Sequence, residues 1–499
     1  MLLFSLSKIR DYWISLGKQK RFIFLLISYF LLHVVVRTII SGSVEFDEAE
    51  QILFSQQFSL GYVTQGPLYE WFQKVVFVIF GLNVFSLALF KNFLFIISYL
   101  FIYKSARLIL ESDIYAALSS GALLLTHTYS WQSMRQLTHS ILVVALAAVT
   151  FYLFLRIIIR KETKLYLALG LFAGLGILSK YNYLIFIIAL FLAALSIKDF
   201  RKSIIDKRLF WALIIVCLVT LPHIFWVFQN FSQTTLRLKE IQIDAAERNN
   251  FFGLGFRVLA TLIQFSFILL IFFPQALKKN SAHTGQDKQL KTFLGRFFLI
   301  SLAIVVSLIA SFKIIDFEER WLQPIFFIFP IYFFLLIKNR NISGRRVKFF
   351  IGAILFSGLM NLIMILVCTV FPDTFGHKRI HYPVEKLSRA IRDETGFSRG
   401  LILSPETSLA ADLKLNFKDS FVETPQMGLK AHQGHSQILL VWNSQWDQKV
   451  PPRMYGLLAK YNLDVNQVNL KLKGKKALYK YAQEESYPIG FVFFDLKRK

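Results

Sequence analysis

Eleven stretches of this chain are apolar for about the length of a membrane crossing, and no other feature restricts its fold as much. A spanning helix takes about 20 mostly apolar residues, because the hydrocarbon core is about 30 Å thick and a helix rises about 1.5 Å per residue. The runs fall at residues 22–40, 85–103, 114–129, 137–155, 165–178, 181–196, 209–228, 256–275, 297–312, 321–337 and 349–371. Inside lipid the backbone finds no water to bond, so such runs must be helical. Composition agrees: the chain is 55% hydrophobic and 18% charged. Ordinary soluble domains carry about 25% charged residues and disordered chains far fewer apolar groups, so both classes are excluded. The expectation is an α-helical polytopic membrane protein with about 11 spans.

The formal charge is +26, from 57 Lys and Arg against 31 Asp and Glu. Such basicity also suits a nucleic-acid binder, so its placement decides. With the N-terminus inside, the segments on the cytoplasmic side hold 26 Lys and Arg and the opposite loops hold 8. Lys and Arg in short loops favour the cytoplasm, so the excess is a topology signal and predicts no nucleic-acid partner. An odd number of spans then sets the C-terminus on the outer face. Residues 1–21 show no small-residue cleavage signal, and the first run reads as an uncleaved anchor. Cys217 and Cys368 both lie in apolar runs and offer neither a disulfide framework nor a thiolate metal cluster.

Composition changes after residue 371. Residues 372–499 alternate short apolar runs, Gly400-Leu401-Ile402-Leu403-Ser404 and Ile438-Leu439-Leu440-Val441-Trp442, with helical patterns and with turn residues at Pro451-Pro452 and Lys473-Gly474-Lys475. A small α/β soluble domain on the outer face is expected there, after a transmembrane region over 1–371 whose first outer loop is 41–84. Its 20 Lys and Arg against 13 Asp and Glu suit an anionic glycolipid or a headgroup surface.

The informative residues are acidic. Ser43-Val44-Glu45-Phe46-Asp47-Glu48-Ala49-Glu50-Gln51 follows the first span, and a helix is expected through about Phe58. Next comes Tyr62-Val63-Thr64-Gln65-Gly66-Pro67-Leu68-Tyr69-Glu70-Trp71, where Gly66-Pro67 favours a turn and Pro67 can open a helix. Tyr62, Tyr69 and Trp71 suit a helix lying at the interface. Further outer acids are Glu240, Asp244, Glu247, Asp316, Glu318 and Glu319.

An Asp-Glu pair just after the first span, followed by a Gln-Pro-Pro-Leu-Tyr-Tyr-Trp-like segment, resembles the first outer loop of GT-C class glycosyltransferases that use polyprenyl-phosphate sugars. These include the protein O-mannosyltransferases and the lipid A aminoarabinose transferases. The ordered segments Trp131-Gln132-Ser133-Met134-Arg135-Gln136-Leu137-Thr138-His139-Ser140, Gly174-Leu175-Gly176-Ile177-Leu178-Ser179-Lys180-Tyr181, Leu221-Pro222-His223 and Glu318-Glu319-Arg320-Trp321-Leu322-Gln323-Pro324 extend the likeness over about residues 20–370. Together they most resemble the subfamily that transfers galacturonic acid to lipid A and core of lipopolysaccharide.

The resemblance implies a polyprenyl-phosphate sugar donor, a lipopolysaccharide or lipid A acceptor, and a bacterial inner-membrane enzyme whose site and C-terminal domain are periplasmic. It assigns Asp47 as general base and Glu48 as the residue that orients it or stabilises charge. Arg135 and Lys180 would meet the departing phosphate, with Tyr181, Gln65 and His139 near the donor. Glu319, Arg320 and His223 would close the site or contact the acceptor. A basic residue at a span end commonly snorkels to headgroups, and a His there is more often a hydrogen-bonded structural residue, so each role competes with a simpler one. The aminoarabinose transferases carry Lys before the paired prolines, where this chain has Gln65 before Gly66-Pro67; that shifts the phosphate charge onto Lys180 and Arg135. Some relatives use a divalent ion, which Asp47, Glu48 or Glu319 would hold, but no His or Cys motif demands a metal.

Other functions remain open at this point. A protein acceptor is the main alternative within the enzyme class. A transporter or flippase also needs many spans, and Lys91 inside the second run is its best residue, although the charged clusters sit in loops and no repeat is evident. A non-catalytic glycan-binding membrane protein would use the basic C-terminal domain and dispense with Asp47.

Overall fold

The computed structural model describes residues 17–62, 65–231, 263–278, 284–312, 318–427, 435–445 and 447–495. Among these described residues, which are predominantly helical, six helices are long and apolar enough to cross a membrane, or seven if a bent pair counts as one span. These include α1 (Lys18–Ile40), with α2 (Phe46–Phe54) and α3 (Leu68–Phe80) following it in the first loop, and α4 (Val84–Leu110). Next come α5 (Thr138–Ile159), the shorter α6 (Thr163–Ser179) and α7 (Tyr183–Leu195), α8 (Leu209–Gln229), α9 (Gly285–Phe312) and α10 (Gly344–Val370).

The remaining apolar runs do not become single long helices. The run at 321–337 is a pair, Glu319–Phe326 and Phe329–Leu336, bent by 50°. Pro330 explains the break, since it has no N–H for the Phe326 carbonyl and its ring clashes with that turn, whereas Pro324 lies in the first turn of its segment, where proline is tolerated. The run at 114–129 loses its regular helix after Gly121, passing through a 3-10 turn (Ala122–Leu125) and a π turn (Thr128–Gln132). At 17 residues α6 rises about 25 Å, less than the hydrocarbon core. Part of the run at 256–275 lies outside the described residues, as do Glu240, Asp244, Glu247 and Asp316; Ile263–Phe272 is helical.

Packing divides the chain into two compact units. The first takes Met1–Leu32, Leu60–Leu68 and Lys91–Asn361. Here α6 lies against α8. Gly170 permits the approach: a Cβ there would sit 2.4 Å from the Ala212 carbonyl oxygen. Small residues let helix backbones pack this closely in a membrane. Tyr166, Leu169 and Ala212 belong to the apolar core that results.

The second unit takes His33–Ser59, Tyr69–Phe90 and Leu362–Lys499, so the first-loop helices α2 and α3 group with the C-terminal segment. That segment holds a five-stranded sheet, β1 (Leu401–Leu403), β2 (Phe421–Glu423), β3 (Gln437–Asn443), β4 (Lys473–Leu478) and β5 (Ser486–Asp495), in the order β2-β1-β3-β5-β4. The first three strands are parallel and β5 runs antiparallel to both its neighbours. Leu401, Leu403, Ile438, Leu440 and Trp442 share a core with Met454, Leu458 and Val468. Lys473-Gly474-Lys475, expected as a turn, is instead the start of edge strand β4. Its exposed lysines blunt an edge that would otherwise pair with another chain. Two helices flank β1 in sequence, α11 (Val384–Thr395) and α12 (Thr407–Asn416), and α12 packs on first-loop helix α2.

Candidate active site

The first-loop turn in the second unit is built around one acid that is used up and one that reaches solvent. Glu45 caps α2, which puts Asp47 and Glu48 in its first turn, where the helix dipole favours negative charge. Glu48 reaches back to accept the Glu45 backbone N–H at 3.1 Å. Its other partner is Arg37, at the end of α1, whose Nε donates to Oε1 at 3.1 Å and Nη2 to Oε2 at 2.6 Å. The same guanidinium donates to the carbonyls of Ser41 and Ser43, both at 2.9 Å. Glu48 is 3% exposed, and Glu45 and Glu50 are buried with it, whereas Asp47 is half-exposed. Asp47 is therefore the more accessible of the turn's two first-turn carboxylates, and Glu48 sets the turn's geometry.

The helix expected to reach Phe58 stops at Phe54, and Ser55, Gln56 and Gln57 turn back to bond its last carbonyls. Gln56 pairs with the backbone of Val422 in both directions, its Nε2 donating to the carbonyl at 2.9 Å and its Oε1 accepting the N–H at 2.8 Å.

The other candidates from sequence lie in the first unit, where most of their motifs converge. Lys180 ends α6 and donates from Nζ to the Ser140 hydroxyl at 2.9 Å; the neighbouring His139 is buried in the first turn of α5. Gln65-Gly66 packs on the same α6 end: a Cβ on Gly66 would stand 2.1 Å from the Leu178 carbonyl oxygen. Only glycine fits there, which accounts for its place before Pro67. Asn182 Nδ2 donates to the Trp321 carbonyl at 2.9 Å, joining the Lys180-Tyr181 turn to the Glu319–Leu322 turn. Glu319 accepts from the Thr128 hydroxyl at 3.1 Å, and Arg320 pairs with Glu318.

Arg135 follows the π turn, its guanidinium 5.5 Å from the Trp131 ring centre. Leu137, two residues on, has φ +64°, a conformation a branched side chain rarely adopts. π turns and strained backbone cluster at functional sites. Gln323 braces this segment, donating to the Thr128 carbonyl and the Ser133 hydroxyl, each at 2.9 Å. Half-buried Lys180 and Arg135 are suited to an anionic oxygen.

His223 is engaged within the protein. Its Nδ1 bonds the Leu60 carbonyl at 2.9 Å and its Nε2 the Tyr181 hydroxyl at 3.1 Å, and the ring stacks on Trp226. With Nδ1 donating, Nε2 accepts from Tyr181, so the ring orders the tyrosine. Among the described residues no group of three or more His, Cys, Asp or Glu is placed to hold a metal ion. Both oxygens of Glu48 are committed to Arg37, which makes it a poor ligand.

Sequence reasoning passed over Arg37, Asn182, Thr128 and Gln323. A cation at the end of an apolar run beside an Asp-Glu pair was the available signal, since such a charge needs a partner. The three polar residues carried none.

Comparison with known proteins bears on the whole arrangement. Residues 64–226 match the family described as Dolichyl-phosphate-mannose-protein mannosyltransferase. The chain is 33% identical over 335 residues to the lipopolysaccharide core galacturonosyltransferase RgtB of Rhizobium johnstonii, covering 66% of this chain and 68% of that one. It is 25% identical to RgtA of the same organism, also a lipopolysaccharide core galacturonosyltransferase, over 94% of this chain and 96% of the relative. The solved structure of ArnT from Cupriavidus metallidurans bound to undecaprenyl phosphate shares the fold, with a TM-score of 0.53 at 12% identity, over 93% of this chain and 97% of that one. The chain therefore belongs to the GT-C class of multi-pass inner-membrane glycosyltransferases, in the family that contains the lipopolysaccharide core galacturonosyltransferases.

Proposed function

We propose that this glycosyltransferase moves a sugar, galacturonic acid by kinship with RgtA and RgtB, from a polyprenyl-phosphate donor to lipopolysaccharide core or lipid A at the periplasmic face. Asp47 takes the proton of the acceptor hydroxyl as its oxygen attacks the anomeric carbon. The anomeric carbon–oxygen bond to phosphate breaks, and its electron pair leaves with the polyprenyl phosphate. Lys180 and Arg135 offset the charge that gathers on the phosphate oxygens. Glu319 and Arg320 line the approach, with Tyr181, Gln65 and His139 at the donor. The observation that carries this reading is the contrast within the first-loop turn: Glu48 is locked by Arg37 while Asp47 reaches solvent. The bound undecaprenyl phosphate in the ArnT structure supports the choice of donor.

The test is mass spectrometry of lipid A and core from cells lacking the gene, complemented with the wild type or with Asp47→Asn. The wild type should restore one uronic acid mass and Asp47→Asn should not. Restoration by Asp47→Asn would remove the base, and an unchanged lipid profile on deletion would move the acceptor to protein.

A further inference from the structure

The C-terminal sheet bears on the catalytic turn through one buried acid. Helix α12 lies against α2, and its Asp412, 1% exposed, accepts the backbone N–H of Val44 at Oδ1, 3.0 Å away. Val44 is itself fully buried and immediately precedes Glu45, the residue that caps α2. Two neighbouring contacts run the same way: the Ser41 hydroxyl donates to the Ile380 carbonyl at 2.6 Å and the Ser43 hydroxyl to the Tyr382 carbonyl at 2.7 Å. With Gln56 clasping Val422, the first-loop turn is held from the C-terminal segment on both sides of Asp47.

We propose that Asp412 is a positioning residue for sugar transfer, its carboxyl group fixing the Val44-Glu45 backbone and so the direction in which Asp47 points. The proposal rests on the reading of Asp47 as the base. It gives the sheet a part in the reaction without contact to donor or acceptor.

The charges around Asp412 are consistent with this. Arg37 from α1 and Glu48 from α2 face it, with the phenols of Tyr382 and Tyr487 from the C-terminal segment. Arg37, bidentate on Glu48, also favours the charged form of Asp412, as does the Val44 N–H, but neither offsets its burial. Burial pushes the Asp412 carboxyl well above the ordinary range, and the nearby Glu48 carboxylate adds to the rise. A neutral carboxylic acid keeps an acceptor oxygen for Val44 and has the shape of an asparagine.

Asn should therefore substitute for Asp412, whereas an apolar residue of similar volume should not. The full-length protein is assayed in membrane vesicles with polyprenyl-phosphate galacturonic acid and lipopolysaccharide core, and binding of undecaprenyl phosphate is measured alongside. D412L should lose about tenfold or more in turnover with undecaprenyl phosphate affinity unchanged, and D412N should stay within about threefold of wild type. If D412L does not accumulate, Val44→Pro removes the same bond from the donor side and is read the same way. Wild-type turnover in D412L, or turnover and undecaprenyl phosphate affinity falling together, overturns the proposal. Asp47→Asn in parallel separates the two readings: an active Asp47→Asn defeats the base assignment, whereas an inactive one beside an active D412L defeats only the positioning role.

Discussion

Replacing Arg37 by Met tests how the Asp47-Glu48 turn is held, and the size of the effect can be worked from the contacts. Arg37 and Glu48 form a buried pair, with side-chain exposures of 16% and 5%, and the guanidinium also ties down the Ser41 and Ser43 carbonyls. Removing one partner of a buried pair costs about 3–5 kcal/mol, because the other charge is left without compensation. At about 1.4 kcal/mol per decade, the equilibrium between the ordered turn and its opened forms shifts by about 100-fold to 4,000-fold. The stability margin of the turn absorbs part of that, so turnover should fall by about 10-fold to 100-fold. Arg37→Lys keeps the charge but loses the fork that meets both oxygens, and should fall between. The decisive comparison is Glu48→Gln in the Arg37→Met background. Neutralising the stranded acid should recover part of the loss, so the double variant should be more active than the sum of the single effects allows. The assay is turnover in membrane vesicles, normalised to folded protein by detergent-solubilised chromatography. Turnover of Arg37→Met within twofold of wild type, or strict additivity with Glu48→Gln, would refute the argument.

If Lys180 meets the donor phosphate as proposed, Lys180→Gln should raise the donor KM on the order of tenfold or more, while protein levels hold; an unchanged KM would return Lys180 to the Ser140 contact alone. Glu406, paired with Arg453 but largely buried, has its carboxyl pushed up to about 7, mainly by burial. The folded state then binds more protons than the unfolded one between about pH 4.5 and 7, so stability is fully present below that window and declines as pH rises through it. The decline is at most roughly 3 kcal/mol by the same conversion, and Glu406→Gln should flatten it. Thermal unfolding of the purified protein across pH 4 to 8 reads both, and a midpoint that rises over that window would contradict the assignment.

Sequence by itself determined that this chain is a helical membrane protein, because apolar runs of spanning length have no other solution in lipid. It also marked the Asp-Glu pair, the Lys180 and Arg135 motifs and the proline that breaks the helix after Glu319, since each is a local signal. Tertiary structure decided what those signals do. Glu48 and Asp47 are adjacent and chemically alike in sequence, and only the packing of α1 against their turn buries one on Arg37 and leaves the other half-exposed. Composition divides the chain after residue 371, whereas packing draws residues 33–59 and 69–90 together with the C-terminal sheet. Asp412 lies 368 positions from Val44, and no periodicity or motif encodes a hydrogen bond over that separation. Spans and turns follow from which solvent each residue meets next to its neighbours in the chain. The orientation of a single carboxylate follows from which distant backbone it is pressed against.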